Sequence, residues 1–460
     1  MKILKRQISI LAISIMISIS TFGCGSKKVE IFIAPNISGF SVPAKVIGDT
    51  PFALTPPTSN SAGAFTYFSN NTEVATITGN IVTVISPGTS VIKATQAASG
   101  NFSMGEISTT LVVTSNFGST GIILANNSLI EYSGRFDFDD PLQPKFSYSG
   151  SSIRAMFQGT SIKAVFSDNG NSNYYNVIVD GIVTKRINLI SGSSTYNLAS
   201  GLSDGLHEIE IYKLTESNYG ITTFTGFTLD TGKNLVPIIT ARSLLFEYIG
   251  DSITCGSGIE GSSTTTQSNT NQNHYLSYAA ITSRNFNAHH LAVCKSGVGL
   301  FLNYTSATLP TDVESSNSMN NYYDRIHWTD ATPLYNFAQI LDMIFVNLGT
   351  NDFSKGVNNV KFEEAYYNFI DKLQVKSPGA DIVVLLGPMI AGRNYTHFKP
   401  ILQSIATNAN AKGKGNVHFF EMSQQGDLGT GSQNHPNIAQ HAKNAQDLTD
   451  FIKTIKPSWK

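Results

Sequence analysis

The chain has 460 residues, too many for one ordinary core and enough for about three domains. Its formal net charge is −1 and only 14% of its residues are charged, so no broad basic field points to a nucleic-acid partner. Abundant Ser, Thr, Asn and Gly suit β-rich exported domains better than a helical cytosolic enzyme.

The N-terminus reads as an export signal. Lys2, Lys5 and Arg6 precede an apolar stretch from Ile8 to Ile19, too short for a comfortable permanent membrane span, and small residues lead into "TFGCGSKK". Gly23 before Cys24 resembles a bacterial lipobox, with Phe22 and Thr21 as loose matches. The expectation is a leader over 1–23, a lipid anchor on Cys24 and a polar linker to 34. That describes an exported bacterial lipoprotein at the outer surface or in the periplasm, touching a membrane through its anchor only. Ordinary signal cleavage and plain secretion is the alternative. Cys255 and Cys294 then remain, as a disulfide or as two buried thiols; the thiols are favoured.

Residues 35–116 alternate short apolar runs with turns. In "EVATITGNIVTVISPGTSVIKATQ", Val74, Ile77, Ile81, Val82, Val84, Val91 and Ile92 are split by Thr78-Gly79-Asn80 and Ser86-Pro87-Gly88, the pattern of a β-sandwich. Together with "STTLVVT" the segment resembles a group 2 bacterial Ig-like domain, which implies a spacer. Residues 120–238 form a second β block. "SIRAMFQGTSIKAVFSDNGNSNYYNVIVDG" contains three strands and "LSDGLHEIEIYKLTE" a fourth, so a jelly roll is expected. Tyr174 and Tyr175 are either sugar-stacking aromatics or half-buried strand positions.

From 240 to 460 the texture becomes α/β. Leu244–Ile249, Met343–Leu348 and Ile382–Leu386 are nearly continuous apolar runs, as strands covered on both faces are. Phe362, Ala365, Tyr366, Phe369 and Leu373 recur at helical spacing before Pro378-Gly379. Strand–helix–strand order argues a doubly wound parallel sheet, whose functional residues lie at the carboxyl ends of strands. The first run ends at Gly250-Asp251-Ser252.

A serine hydroxyl becomes a nucleophile only with a base, and acyl transfer needs donors for the oxyanion. "GDSIT", the Ser-Gly loop of "AVCKSGVGL", "GTND" and the late "NHPNIAQH" supply candidates in order. Each alone is an ordinary turn or loop. All four together resemble the blocks of the SGNH (GDSL) hydrolases, and with "GLHEIEIYKLTE" ahead of them the match narrows to carbohydrate esterase family 2. The resemblance covers about residues 125 to 457.

It implies Ser252 as nucleophile and His435 as general base, with an oxyanion hole from the backbone N–H groups of Ser252 and Gly297 and the Asn351 side chain. Asp251 and Asp352 are expected to brace loops. Where many such enzymes place an Asp three residues before the histidine, this chain has Ser432. The family can instead hold the imidazole with a backbone carbonyl, so a Ser–His dyad is expected. A neutral partner stabilises the imidazolium less than a carboxylate.

No other histidine has a comparable setting, and His441 is placed on the surface of the last helix. No residue spacing suggests a metal, and no cofactor is expected. The resemblance implies removal of acetyl groups from xylan or glucomannan. Tyr322, Tyr323, Trp328 and Tyr335 either line a sugar-binding face, Trp328 and Tyr335 being its stacking candidates, or pack the two domains together. A lipase or thioesterase acting on longer chains, or a catalytically weak glycan-binding lipoprotein, are the alternatives. An elongated monomer is the simplest assembly.

Overall fold

Alternation along the first β block sorts its side chains onto two faces. The computed structural model describes residues 32–46, 49–114, 121–305 and 308–459; the proposed leader, Cys24 and nearly all of the linker lie outside the described residues. One sheet of the first sandwich runs in the order Lys45–Val46, Gly105–Thr114, Gly88–Gln96, Phe65–Ser69, and another in the order Phe52–Ala53, Ile81–Val84, Ala75–Thr78. Ile92, Ala94, Leu111 and Val113 meet Val74, Ala75 and Val82 in the core. Ile81 and Val91, each one position away from a core residue, are exposed.

The second block is a pair of six-stranded antiparallel sheets. Ser152–Gly159 and Gly205–Lys213 pair along their whole length in one sheet, and Ile162–Asp168 lies between Gly192–Ala199 and Thr222–Leu229 in the other. Ile209 and Ile211, the apolar positions of "HEIEIY", point into the shared core with Phe166, Tyr175 and Phe224. Val112 of the first sandwich packs with Met156 and Val236 of the second.

The α/β block holds a five-stranded parallel sheet in the order Ala288–Cys294, Leu244–Gly250, Met343–Asn347, Asp381–Leu386, Val417–Glu421. In chain order that is 2-1-3-4-5, so the connections reverse direction on either side of the first strand and open a crevice at its carboxyl end. The helix Asn359–Lys376 is capped by the Asn358 side chain and buries Phe362, Ala365, Tyr366, Phe369 and Leu373. No helix among the described residues is long and apolar enough to cross a membrane.

Three expectations are corrected here. Cys255 and Cys294 form a disulfide, their Cα atoms 5.6 Å apart. Register explains it: Cys294 lies beside Gly250 on the neighbouring strand, and Cys255 ends the helical turn that follows Gly250. His441 is fully buried and accepts from the Tyr278 N–H at 3.1 Å; it lies on the helix face turned toward the neighbouring helix Tyr278–Asn285.

The third correction concerns the aromatics. Trp328 is buried against Tyr322, and Tyr335 lies with its ring 4.5 Å from the Arg135 guanidinium. Arg135 of the jelly roll is itself fully buried, 2.9 Å from Glu247 on the first strand of the parallel sheet. A buried guanidinium needs a counter-charge and benefits from aromatic faces, and that requirement draws Tyr323, Tyr335 and Phe337 to the domain interface. Tyr175 is core, and Tyr174 is covered by Arg186.

Candidate active site

Gly250 ends the first strand because nothing larger fits. A Cβ there would stand 2.0 Å from Thr254 Oγ1 and 3.1 Å from the Asn347 carbonyl. The chain therefore turns at once into the short helix Ser252–Cys255, capped by Asp251, whose Oδ1 accepts from Ile253 N at 2.9 Å. Ser252 opens that turn at the sheet's crevice. Its N–H makes no hydrogen bond among the described residues, as the first amides of helices commonly do not.

His435 arrives just before the last helix, Ile438–Ile455. Its Nε2 lies 2.9 Å from Ser252 Oγ, and its Nδ1 lies 3.2 Å from the Ser432 carbonyl. Burial lowers its pKa below 6.5, although the Gln433 and Ser432 carbonyls and the Glu216 charge pull the other way. The ring is therefore neutral at pH 7, the form a base requires.

Gly297 follows the strand Ala288–Cys294 with φ +76°, and its N–H is also unbonded among the described residues. Asn351 sits in the turn Thr350–Ser354 after the third strand. Its Nδ2 donates to the Val298 carbonyl at 2.9 Å and to Asp251 Oδ2 at 3.2 Å, so both its hydrogens are engaged within the protein. Ser252, Gly297, Asn351 and His435 line one cleft of about 950 Å³.

The two aspartates hold backbone. Asp352 accepts from the N–H groups of Leu300, Phe301 and Leu302 at 3.0, 2.8 and 2.8 Å, tying the segment after Gly297 to the Asn351 turn. Burial pushes Asp251 up to about 7 and Asp352 up to about 6. Neither makes a hydrogen bond to His435.

Three residues of the site carried no sequence signal. Glu216 of the jelly roll accepts from Ser296 N at 2.8 Å, from Ser296 Oγ, and from Lys295 Nζ at 3.2 Å. It thus fixes the residue next to Gly297 from another domain. Tyr304, 55% exposed, lines the cleft with Lys355 Nζ 4.3 Å from its ring centre. Gln267 places its amide nitrogen 2.9 Å from His435 Nδ1. Among the described residues no group of three or more His, Cys, Asp or Glu side chains is arranged to hold a metal ion.

A serine and a histidine in contact at the switch point of a 2-1-3-4-5 sheet, with two unbonded amides beside them, define a serine hydrolase of the SGNH class. Family models agree: one described as carbohydrate esterase 2 N-terminal matches residues 132–238, and one described as the GDSL-like lipase/acylhydrolase family matches 248–444. A family two carbohydrate esterase from Clostridium thermocellum, solved in complex with cellohexaose, is 35% identical with a TM-score of 0.67, over 72% of this chain and 100% of that one. The chain belongs to carbohydrate esterase family 2.

Among its relatives, the cellulase/esterase CelE of Acetivibrio thermocellus is 37% identical over 345 residues, which are 73% of this chain but only 40% of that protein. An acetylxylan esterase/glucomannan deacetylase of Cellvibrio japonicus is 27% identical over 341 residues, 73% of this chain and 92% of that one.

Proposed function

We propose that the protein is a serine esterase that removes O-acetyl groups from polysaccharides such as xylan or glucomannan. The observation that carries this is the 2.9 Å contact between His435 Nε2 and Ser252 Oγ beside two unbonded backbone N–H groups. The Cellvibrio japonicus relatives, acetylxylan esterases/glucomannan deacetylases, support the substrate class.

Ser252 Oγ attacks the acetyl carbonyl carbon as its proton passes to His435 Nε2. The carbonyl oxygen becomes an oxyanion held by the N–H groups of Ser252 and Gly297. Asn351 joins them by exchanging its longer bond, to Asp251, for one to the oxyanion. Collapse breaks the bond to the sugar oxygen, which leaves with the proton from His435. Water, deprotonated by the same ring, attacks the acetyl-serine; acetate leaves and Ser252 regains its proton.

An acetyl group needs little space, and most of the cleft is free for a sugar chain. Its lining mixes polar residues, Ser263, Gln267, Ser296, Asn394 and Asn434 among them, with the apolar Phe353, Met389 and Ile390, and the polar groups offer partners to sugar hydroxyls. Tyr304 offers the exposed ring that Trp328 and Tyr335 do not. The site is read as a Ser–His dyad, with the Ser432 carbonyl 3.2 Å from His435 Nδ1. Export and lipid attachment at Cys24, with the anchor as the only membrane contact, complete the proposal.

Rapid quenching of the full chain with an acetyl ester, followed by mass spectrometry of the Ser252 peptide, tests the intermediate. An acetyl adduct on Ser252, with acetyl esters turned over far faster than octanoyl esters, is expected. Faster turnover of octanoyl would instead identify a lipase. Metabolic labelling with a fatty acid, lost in Cys24→Ala, tests the anchor.

A further inference from the structure

Ser432 stands where a triad would carry its carboxylate, and the structure shows why it does not. Its side chain is fully buried and turned away from His435, with Oγ 2.6 Å from Thr265 Oγ1 and accepting from Asn271 Nδ2 at 3.0 Å. Its N–H donates to the Gly258 carbonyl at 2.9 Å. The loop around it is so close that a Cβ on Gly261 would stand 1.9 Å from Ser432 Oγ. A larger carboxylate at 432 has no room and would not face the imidazole.

The Ser432 carbonyl is also a shared acceptor, since the His435 N–H donates to it at 3.0 Å. The same loop brings a second group to the ring. Gln267, half-buried in the polar run "SSTTTQSNTNQ", is held by a backbone pinned at both flanks: Asn271 Oδ1 accepts from Ser268 N at 2.9 Å and Asn271 Nδ2 donates to the Thr266 carbonyl at 2.8 Å. Its amide lies 2.9 Å from Nδ1, closer than the Ser432 carbonyl at 3.2 Å.

We propose that Gln267 is the positioning residue that takes the place of the triad's acid, its amide selecting the tautomer of His435. An amide presents a donor on one side and an acceptor on the other. With the nitrogen toward Nδ1, the ring would accept there, give the Ser432 carbonyl at 3.2 Å no donor from Nδ1, carry its proton on Nε2 and be unable to act as base. With the amide turned about its last bond, the oxygen accepts from Nδ1–H. Nε2 is then free to take the serine proton, and the amide oxygen faces the imidazolium as it forms. The role supposes that His435 is the base.

The test compares the full-length wild type with Gln267→Ala and Gln267→Glu. His435 is titrated by imidazole NMR in a Ser252→Ala background, and acetyl-ester hydrolysis is followed against pH in the active forms. A carboxylate at 267 should raise the His435 midpoint by about one to three pH units and carry the acid limb of kcat/KM up with it. Loss of the amide in Gln267→Ala should lower kcat about tenfold with KM and Tm little changed, the scale of one lost hydrogen bond to a charged group. An unmoved midpoint in Gln267→Glu, or a wild-type kcat in Gln267→Ala, would overturn the role. If the wild type releases no acetate while the midpoint moves, the esterase reading falls and the hold of Gln267 on His435 stands.

Discussion

His435 is caught between burial, which favours its neutral form, and the Gln433 and Ser432 carbonyls and the Glu216 charge, which favour the protonated one; burial prevails. Below its pKa the ring carries a proton on both nitrogens and cannot accept one from Ser252, so kcat/KM falls as pH drops through that value and is flat above it. The acid limb for a small acetyl ester should therefore have its midpoint below 6.5, measured under conditions where the fold persists; a midpoint above 6.5 would contradict the reading of the ring's surroundings. Ser252 and His435 could be picked out of the sequence because each lies in a short local pattern tied to a strand end or a helix start. Gln267 could not. It reaches the ring from a run of small polar residues with no period, and only the loop's tertiary path gives it a partner. His441 was misplaced for a related reason: a polar residue type says nothing of the Tyr278 N–H that it meets inside.

At the scale of elements, the oxyanion loop is held from both sides. Asp352 grips the backbone after Gly297, and Glu216 grips the residue before it. Burial alone would raise the Glu216 pKa, but the Lys295 charge and the Ser296 hydrogen bonds together outweigh it and hold the group below its usual value. It is a carboxylate at neutral pH. Gln272 donates to it as well, at 2.8 Å, so one acid of the jelly roll joins the oxyanion loop to the loop that carries Gln267. Glu216→Gln keeps the size and removes the charge. It should lower kcat on the order of tenfold, below the loss expected for an oxyanion donor itself, while KM changes little; steady-state kinetics with a soluble acetyl ester would show it. A wild-type kcat would mean the loop holds its shape without the jelly roll. The motif "HEIEIYKLTE" marked the strand and its family, but an acid just past a strand end carries no sign of which loop it will meet.

Over the whole molecule, the two parts of the esterase are joined through charge as well as apolar surface. Arg135 and Glu247 are paired at 2.9 Å with both side chains essentially inaccessible, and Tyr323 donates to the second Glu247 oxygen at 2.6 Å. Removing one partner strands the other charge in the interior. Arg135→Ala should therefore destabilise the fold by about 3–5 kcal/mol in urea unfolding, and a loss under about 1 kcal/mol would show that the pair is dispensable. The succession of β-sandwich, jelly roll and parallel sheet was legible because alternation, turn residues and continuous apolar runs are local signals. The interface was not, since Arg135 and Glu247 lie far apart in sequence and nothing near either names the other. That gap is why Trp328 and Tyr335 could be read as sugar platforms when Trp328 is buried against Tyr322 and the Tyr335 ring faces Arg135. The proposed esterase activity stands or falls on acetate release from acetylated xylan and glucomannan by the wild type beside Ser252→Ala. It predicts release by the wild type and none above background by the variant. Equal release by both, or none by a folded wild type, would contradict it.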